Sequence, residues 1–85
     1  MIWQVRTDPH TGSHPRVEQF ATYGEACNYW DNEAAGWIEE TRDWGDPADA
    51  EMLANDWAAV RANAFGAREL ELPTGAWLYL ERVPV

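Results

Sequence analysis

The sequence has no lysine, a single cysteine and no long apolar run, and each of these absences excludes a class of protein. Six arginines stand against fifteen aspartates and glutamates, which gives a formal net charge of −9 and a pI near 4.4. Nucleic-acid phosphates and anionic membranes attract clustered positive charge, so we expect neither to bind this chain directly. One cysteine forms neither an intrachain disulfide nor a cysteine-cluster zinc site. No segment approaches the length of a membrane span.

The length and composition predict one folded domain over residues 1–85. A chain of 85 residues is too short for two domains and buries only a thin core. Its 46% hydrophobic content and six tryptophans are too high for a disordered acidic tail. The first residues lack the basic and apolar regions of a signal peptide, so we expect a cytoplasmic protein.

Two predicted β-hairpins flank the centre of the chain. Strand-forming residues at 2–7 and 17–21 enclose a segment rich in proline and glycine, and the runs 67–72 and 76–83 enclose Pro73-Thr74-Gly75. Alternation in the second hairpin places four leucines on the face toward the helices: Leu70, Leu72, Leu78 and Leu80. Trp77 and Tyr79 have the opposite parity and are expected on the other face.

A long first helix is predicted after Thr22, which forms a capping box with Glu25. Apolar residues then recur at spacings of four and three. This predicted apolar seam consists of Tyr23, Cys27, Trp30, Ala34, Trp37, Thr41 and Trp44. Gly36 allows a break, and the alternative is a strand over 37–44. We prefer the helix because the seam continues in phase past the glycine.

A second helix is predicted after Gly45-Asp46-Pro47. Glycine suits a left-handed residue after the first helix, aspartate caps the next helix, and proline suits its first position. The predicted apolar face of this helix is Ala50, Leu53, Trp57, Val60 and Ala64, and we expect it to end before Gly66. The predicted fold is α+β: a small antiparallel sheet packed on an antiparallel helical hairpin, in the order β-β-α-α-β-β.

Negative charge is concentrated in the middle of the chain. Residues 31–56 hold nine of the fifteen acidic residues and only Arg42 as a base, which accounts for −8 of the net −9. A solvated helical face is the simple explanation; an acidic surface that binds a basic partner is the other. The predicted partner-binding residues are Glu33, Glu39, Glu40, Asp43, Trp44, Asp46, Asp49 and Asp56. Arg42 is expected to pair within this cluster, and Trp44 either caps the core or anchors the interface.

A short, lysine-free chain with carboxylates clustered on a helical pair, here from Asp31 to Asp56, resembles the small acidic inhibitors of phages and mobile elements. These include anti-CRISPR proteins and DNA-mimic anti-restriction proteins. The resemblance lies in size and charge pattern. It implies a non-enzymatic inhibitor, without a cofactor, that acts in the cytoplasm of a bacterial host. Its implied partner is a basic nucleic-acid-binding protein or complex of a defence system, whose binding of DNA or RNA it blocks.

Other interpretations remain open at this stage. The Trp77/Tyr79 face suits a structural, adaptor or antitoxin-type interaction module, or a homodimer. Asp8, His10 and His14 are residue types that bind zinc, but Pro9, Gly12 and Pro15 disfavour the helix that would align the histidines, so a polar loop is the preferred interpretation. Cys27 is expected to pack on the apolar seam. No phosphate-binding loop, nucleophile elbow or suitably placed carboxylate pair is present, so no enzymatic activity is predicted.

Overall fold

The computed structural model describes residues 2–9, 12, 14–62 and 66–84, and it confirms the α+β class and the order β-β-α-α-β-β. The elements are β1 (Ile2–Asp8), β2 (Arg16–Phe20), α1 (Tyr23–Trp44), α2 (Pro47–Ala62), β3 (Arg68–Glu71) and β4 (Trp77–Val83). Each predicted strand agrees with the structure to within a residue or two. The pattern of apolar residues therefore predicted the positions of the four strands.

The four strands form one antiparallel sheet in the order β2-β1-β4-β3. The two hairpins meet through β1 and β4, where Val5 pairs with Leu80. Both helices lie on the same face of this sheet, with α1 against β1, β2 and β4 and α2 against β3. The four predicted leucines of the second hairpin are all buried beneath them. Among the described residues, no element covers the opposite face of the sheet.

Helix α1 begins at the predicted capping box and continues without a break to Trp44. The Glu25 amide donates to Thr22 Oγ1 at 3.2 Å, and the Thr22 hydroxyl donates to the Glu25 carboxylate at 2.9 Å. A Cβ built on Gly36 would meet no atom within 4 Å, so the glycine neither serves a close contact nor interrupts the helix. The alternative strand over 37–44 is therefore wrong.

The buried face of α1 differs from the predicted seam. The buried residues are Ala26, Trp30, Ala34 and Ile38, at a constant spacing of four. A row of residues four apart forms a stripe inclined to the helix axis. Trp37 is only partly buried, Thr41 has intermediate exposure, and Trp44 is exposed. The spacing of apolar residues in the sequence predicted the helix, but not which of its residues are buried.

The start of α2 follows the predicted capping, whereas Gly45 does not adopt the predicted conformation. The Ala48 amide donates to Asp46 Oδ1 at 2.9 Å, so Asp46 caps α2. Gly45 has φ −121°, which is not left-handed. A Cβ at Gly45 would instead lie 2.9 Å from the Thr41 carbonyl oxygen. Glycine is needed there for close approach, because the Gly45 amide donates to that same oxygen at 2.9 Å.

The apolar face of α2 is confirmed in its first half. Ala50 and Leu53 are buried, while Trp57 and Val60 are partly buried against the core. The described part of α2 runs to Ala62, and Gly66 lies outside the helix, as expected. The predicted contact of Ala64 lies outside the described residues.

Candidate protein-binding surface

The tip of the helical hairpin, where α1 turns into α2, carries the densest group of predicted site residues. We call this group the tip surface: Glu39, Glu40, Asp43, Trp44 and Asp46, all of which are exposed. The Asp46 carboxylate also caps α2, so it has a structural role besides any role in binding. The other three carboxylates make no ion pair among the described residues. Their charges are therefore available to a partner.

Trp44 does not cap the core, because 87% of its surface is exposed. The 22 residues of α1 span about 33 Å, whereas a seven-residue strand spans about 23 Å, so the end of the helix extends past the sheet. The buried stripe accordingly stops at Ile38. Trp44 keeps the helical spacing of a core residue but has no sheet beneath it. Of the two predicted roles, capping the core is wrong.

The remaining predicted acids lie on two different flanks of the hairpin. Glu33 and Glu40 line a cleft between α1 and β2, which we call the β2-side groove, together with Arg16 and Trp37. Burial, followed by the charge of nearby Glu33, raises the pKa of the Tyr29 phenol on the same helix. Glu33 is half-buried and Glu40 is exposed. This flank carries Arg16 beside its two carboxylates, whereas the tip has four carboxylates and the exposed Arg42.

On the other flank, Asp49 and Asp56 line the β3-side groove, between α2 and the turn after β3. The full lining of this groove is Asp49, Met52, Leu53, Asp56, Glu71, Leu72, Pro73 and Gly75. The eight predicted site residues therefore do not form one continuous row. They divide among the tip, the β2 side and the β3 side. Sequence analysis missed Met52 and Glu71, since neither belongs to a helical row of acids.

Arg42 and Asp31 also belong to the acidic segment 31–56, and the structure gives them different surroundings. Arg42 is exposed and makes no ion pair in the described part of the chain, so its predicted pairing is not found. Asp31 faces α2 instead and accepts a hydrogen bond from Trp57 Nε1 at 3.0 Å. It also lies 3.5 Å from the guanidinium groups of Arg61 and Arg68. Asp31 is thus a structural acid that joins α1, α2 and β3.

The uncovered face of the sheet carries a second aromatic feature. Trp77 and Tyr79 stack with ring centroids 6.0 Å apart, and the Arg6 guanidinium lies 4.3 Å from the Tyr79 ring centroid. Arg6 also pairs with Glu81 at 3.0 Å and Asp8 at 3.2 Å. The hydrogen bond to Glu81 raises the pKa of Arg6, so this arginine stays charged. The parity assigned to Trp77 and Tyr79 is confirmed, and both side chains are half-buried.

Among the described residues, the structure does not bring together the side chains of the candidate metal site. His10 lies outside the described residues, His14 is exposed, and Asp8 pairs with Arg6. Across residues 2–9, 12, 14–62 and 66–84, no three His, Cys, Asp or Glu side chains converge to hold a metal ion. Cys27 packs partly buried against the core, as predicted. Neither described helix is long and apolar enough to cross a bilayer.

Compared with protein-family models, with curated proteins and with solved structures, the chain gives no significant match.

Proposed function

We propose that this protein is a non-enzymatic inhibitor that binds a basic nucleic-acid-binding protein or complex through the tip surface. Bound there, it prevents the partner from binding DNA or RNA. The observation that supports this proposal is the exposure of Trp44, which reaches 87% of its surface. The carboxylates of Glu39, Glu40 and Asp43 beside it make no ion pair within the described residues. Tryptophan is enriched among the residues that dominate interface energies, so a tryptophan exposed to this degree is a candidate anchor for a partner.

The tip surface combines two contributions that a tight and selective complex needs. Exposed carboxylates attract a basic groove over a distance, which accelerates association and makes it sensitive to salt. Charge alone gives little net affinity once the groups are desolvated, so a buried apolar anchor is required as well. Trp44 supplies that anchor without cost to the core, because it makes little contact with the rest of the chain in the first place.

The proposed partner follows from the sign and spacing of the charges. Glu39 and Asp43 stand one helical turn apart, and Asp46 follows at the start of α2. Side chains at this spacing lie about 5–6 Å apart, so they present a ladder of negative charge similar to that of a nucleic-acid strand. A groove shaped to hold phosphates offers matching arginines and lysines. The nucleic-acid-binding proteins of a bacterial defence system, in the cytoplasm of a bacterial host, are the proposed class.

The test is a pull-down from bacterial lysate with the tagged protein at low and high salt, followed by a nucleic-acid-binding assay on any purified partner. The test variant is Glu39→Lys/Asp43→Lys, and the matched control is Glu18→Lys/Glu69→Lys, which changes the net charge equally on exposed strand positions. We expect the wild type and the control to capture a nucleic-acid-binding protein and to displace its DNA or RNA. We expect the test variant, and Trp44→Ala, to lose both activities.

Circular dichroism verifies that each variant remains folded. A partner retained by Glu39→Lys/Asp43→Lys and by Trp44→Ala at both salt concentrations would refute the proposal. So would a captured partner that binds its nucleic acid unimpeded.

A second candidate function is a structural or adaptor module that binds a partner through the uncovered sheet face. The partner on that face is either another protein or a second copy of this chain in a homodimer. The stacked Trp77 and Tyr79 side chains on that face favour it. This alternative expects Trp77→Ala to abolish capture, or to convert a dimer to a monomer in sedimentation velocity, while Glu39→Lys/Asp43→Lys has no effect. The two candidates therefore make opposite predictions for the same pair of variants.

A further inference from the structure

The β3-side groove is an open cleft with an apolar floor between α2 and the turn after β3. Its volume is about 310 Å³, at the lower end of the range of ligand pockets. Leu53 and Leu72, each only 2% exposed, form its floor, and Met52 stands 63% exposed on its α2 wall. An apolar floor beside an exposed methionine accommodates a flexible hydrocarbon chain, because methionine adapts its conformation to what it contacts.

The opposite wall is a rigid turn. The Gly75 amide donates to the Leu72 carbonyl oxygen at 2.9 Å, and the Leu72 amide donates to the Ala76 carbonyl oxygen at 2.8 Å. Pro73 occupies the second position of this turn, and Gly75 takes the positive φ of 88° that follows a tight turn in a short hairpin. The groove is therefore formed before any ligand binds, which lowers the entropic cost of binding.

Three carboxylates surround this apolar floor. Asp49 and Asp56 lie two turns apart on α2, and Glu71 ends β3 on the other side. Within the described residues, none of the three makes an ion pair. They also do not converge closely enough to hold a metal ion. All three are exposed. A ligand that contacts both the floor and more than one of them is a broad cation with an apolar part.

We propose that the β3-side groove binds an arginine side chain of a protein partner. The aliphatic stem packs on Met52 and Leu72, and the planar guanidinium donates to the surrounding carboxylates. Arginine fits better than lysine because its five donors, spread over a plane, reach more than one carboxylate. This inference rests on the proposed function and makes it more specific: the basic partner contributes an arginine to the groove while its basic surface contacts the tip.

The direct test is an NMR titration of the isotopically labelled protein with N-acetyl-arginine methylamide, monitored through backbone amide shifts. We expect saturable shifts at Met52, Leu72 and Gly75. The uncharged N-acetyl-norleucine methylamide, which lacks the guanidinium, should give none. In the variant Asp56→Asn/Glu71→Gln the dissociation constant should rise about threefold or more, because both exposed carboxylates that contact the guanidinium lose their charge.

The matched control Glu18→Gln/Glu69→Gln removes the same charge from exposed strand positions and should bind the probe as the wild type does. Equal weakening in both variants would mean that only overall charge attracts the probe, and it would overturn the inference, as would the absence of saturable shifts at the groove.

Failure of the groove is distinguishable from failure of the proposed function. If Asp56→Asn/Glu71→Gln still captures the partner at wild-type affinity while Glu39→Lys/Asp43→Lys does not, the groove inference is wrong and the tip proposal stands. If both variants capture the partner normally, both are wrong.

Discussion

Replacing Asp31 by asparagine should destabilise the fold more than the same change at any carboxylate of the tip surface. One oxygen of Asp31 accepts from Trp57 Nε1 at 3.0 Å and faces Arg61 and Arg68 at 3.5 Å. The Arg68 side chain is only 10% exposed and lies over the Trp30 ring, with its Cζ 5.2 Å from the ring centroid. Asparagine retains an acceptor for Trp57 but removes the negative charge that compensates Arg68.

The magnitude follows from the burial of the two partners. Removing one member of a buried ion pair costs about 3–5 kcal/mol, because the remaining charge stays desolvated. Asp31 is 25% exposed and its 3.5 Å contact with Arg68 is not a hydrogen bond, so we expect a smaller loss of about 1–2 kcal/mol. A domain of this length is stable by about 4–13 kcal/mol in total. The substitution should therefore remove a measurable fraction of the free energy of unfolding.

Urea denaturation followed by far-ultraviolet circular dichroism measures this loss. The matched control is Glu39→Gln, on the same helix but exposed and without an ion pair among the described residues, which should change stability by no more than about 0.5 kcal/mol. Adding Arg68→Met to Asp31→Asn should recover part of the loss, because the desolvated cation is then gone. An Asp31→Asn variant as stable as the Glu39→Gln control would refute the reasoning.

Three further predictions concern stability. Gly36→Ala should raise the free energy of unfolding by about 0.5–1 kcal/mol in urea denaturation, since alanine favours the helix and its Cβ meets no atom within 4 Å. Gly45→Ala should lower it by about 1–3 kcal/mol, because its Cβ would lie 2.9 Å from the Thr41 carbonyl oxygen. Folding raises the pKa of the Tyr29 phenol above its ordinary value of about 10. The stability that the neutral phenol contributes is therefore complete below about pH 10, and it is lost as the pH rises through the pKa of the folded state. Tyr29→Phe should therefore show a shallower alkaline loss of stability than the wild type.

The strands were predictable from the sequence because their signals are local. In β4, Leu78 and Leu80 alternate with Trp77 and Tyr79, and the alternation alone decides which side chains face the helices. Pro73 and Gly75 fix the turn through their own backbone preferences. The capping of both helices likewise depends on residues within four positions of each other.

The details of the helical faces were not predictable, because they depend on how the elements meet. Which residues of α1 are buried depends on its contacts with β1, β2 and β4, all of which lie outside the helix. The exposure of Trp44 depends on where the sheet ends relative to the helix. The role of Asp31 requires Arg68, which is distant in sequence and reaches it only after β3 joins the sheet. Spacing along one helix carries no information about such partners.

The carboxylates of the middle segment separate into two groups by what they contribute to folding. Asp31 and Asp46 stabilise the fold, one through the buried Arg68 and one as a helix cap. Glu39 and Asp43 do the opposite: like charges one turn apart repel each other, and Asp43 stands in the last turn of α1, where the helix dipole disfavours an anion. Each effect costs a few tenths of a kcal/mol or more. Scattered charges would make the protein equally soluble without this loss of stability. Destabilising charges clustered beside the exposed Trp44 therefore favour a surface that binds a basic partner.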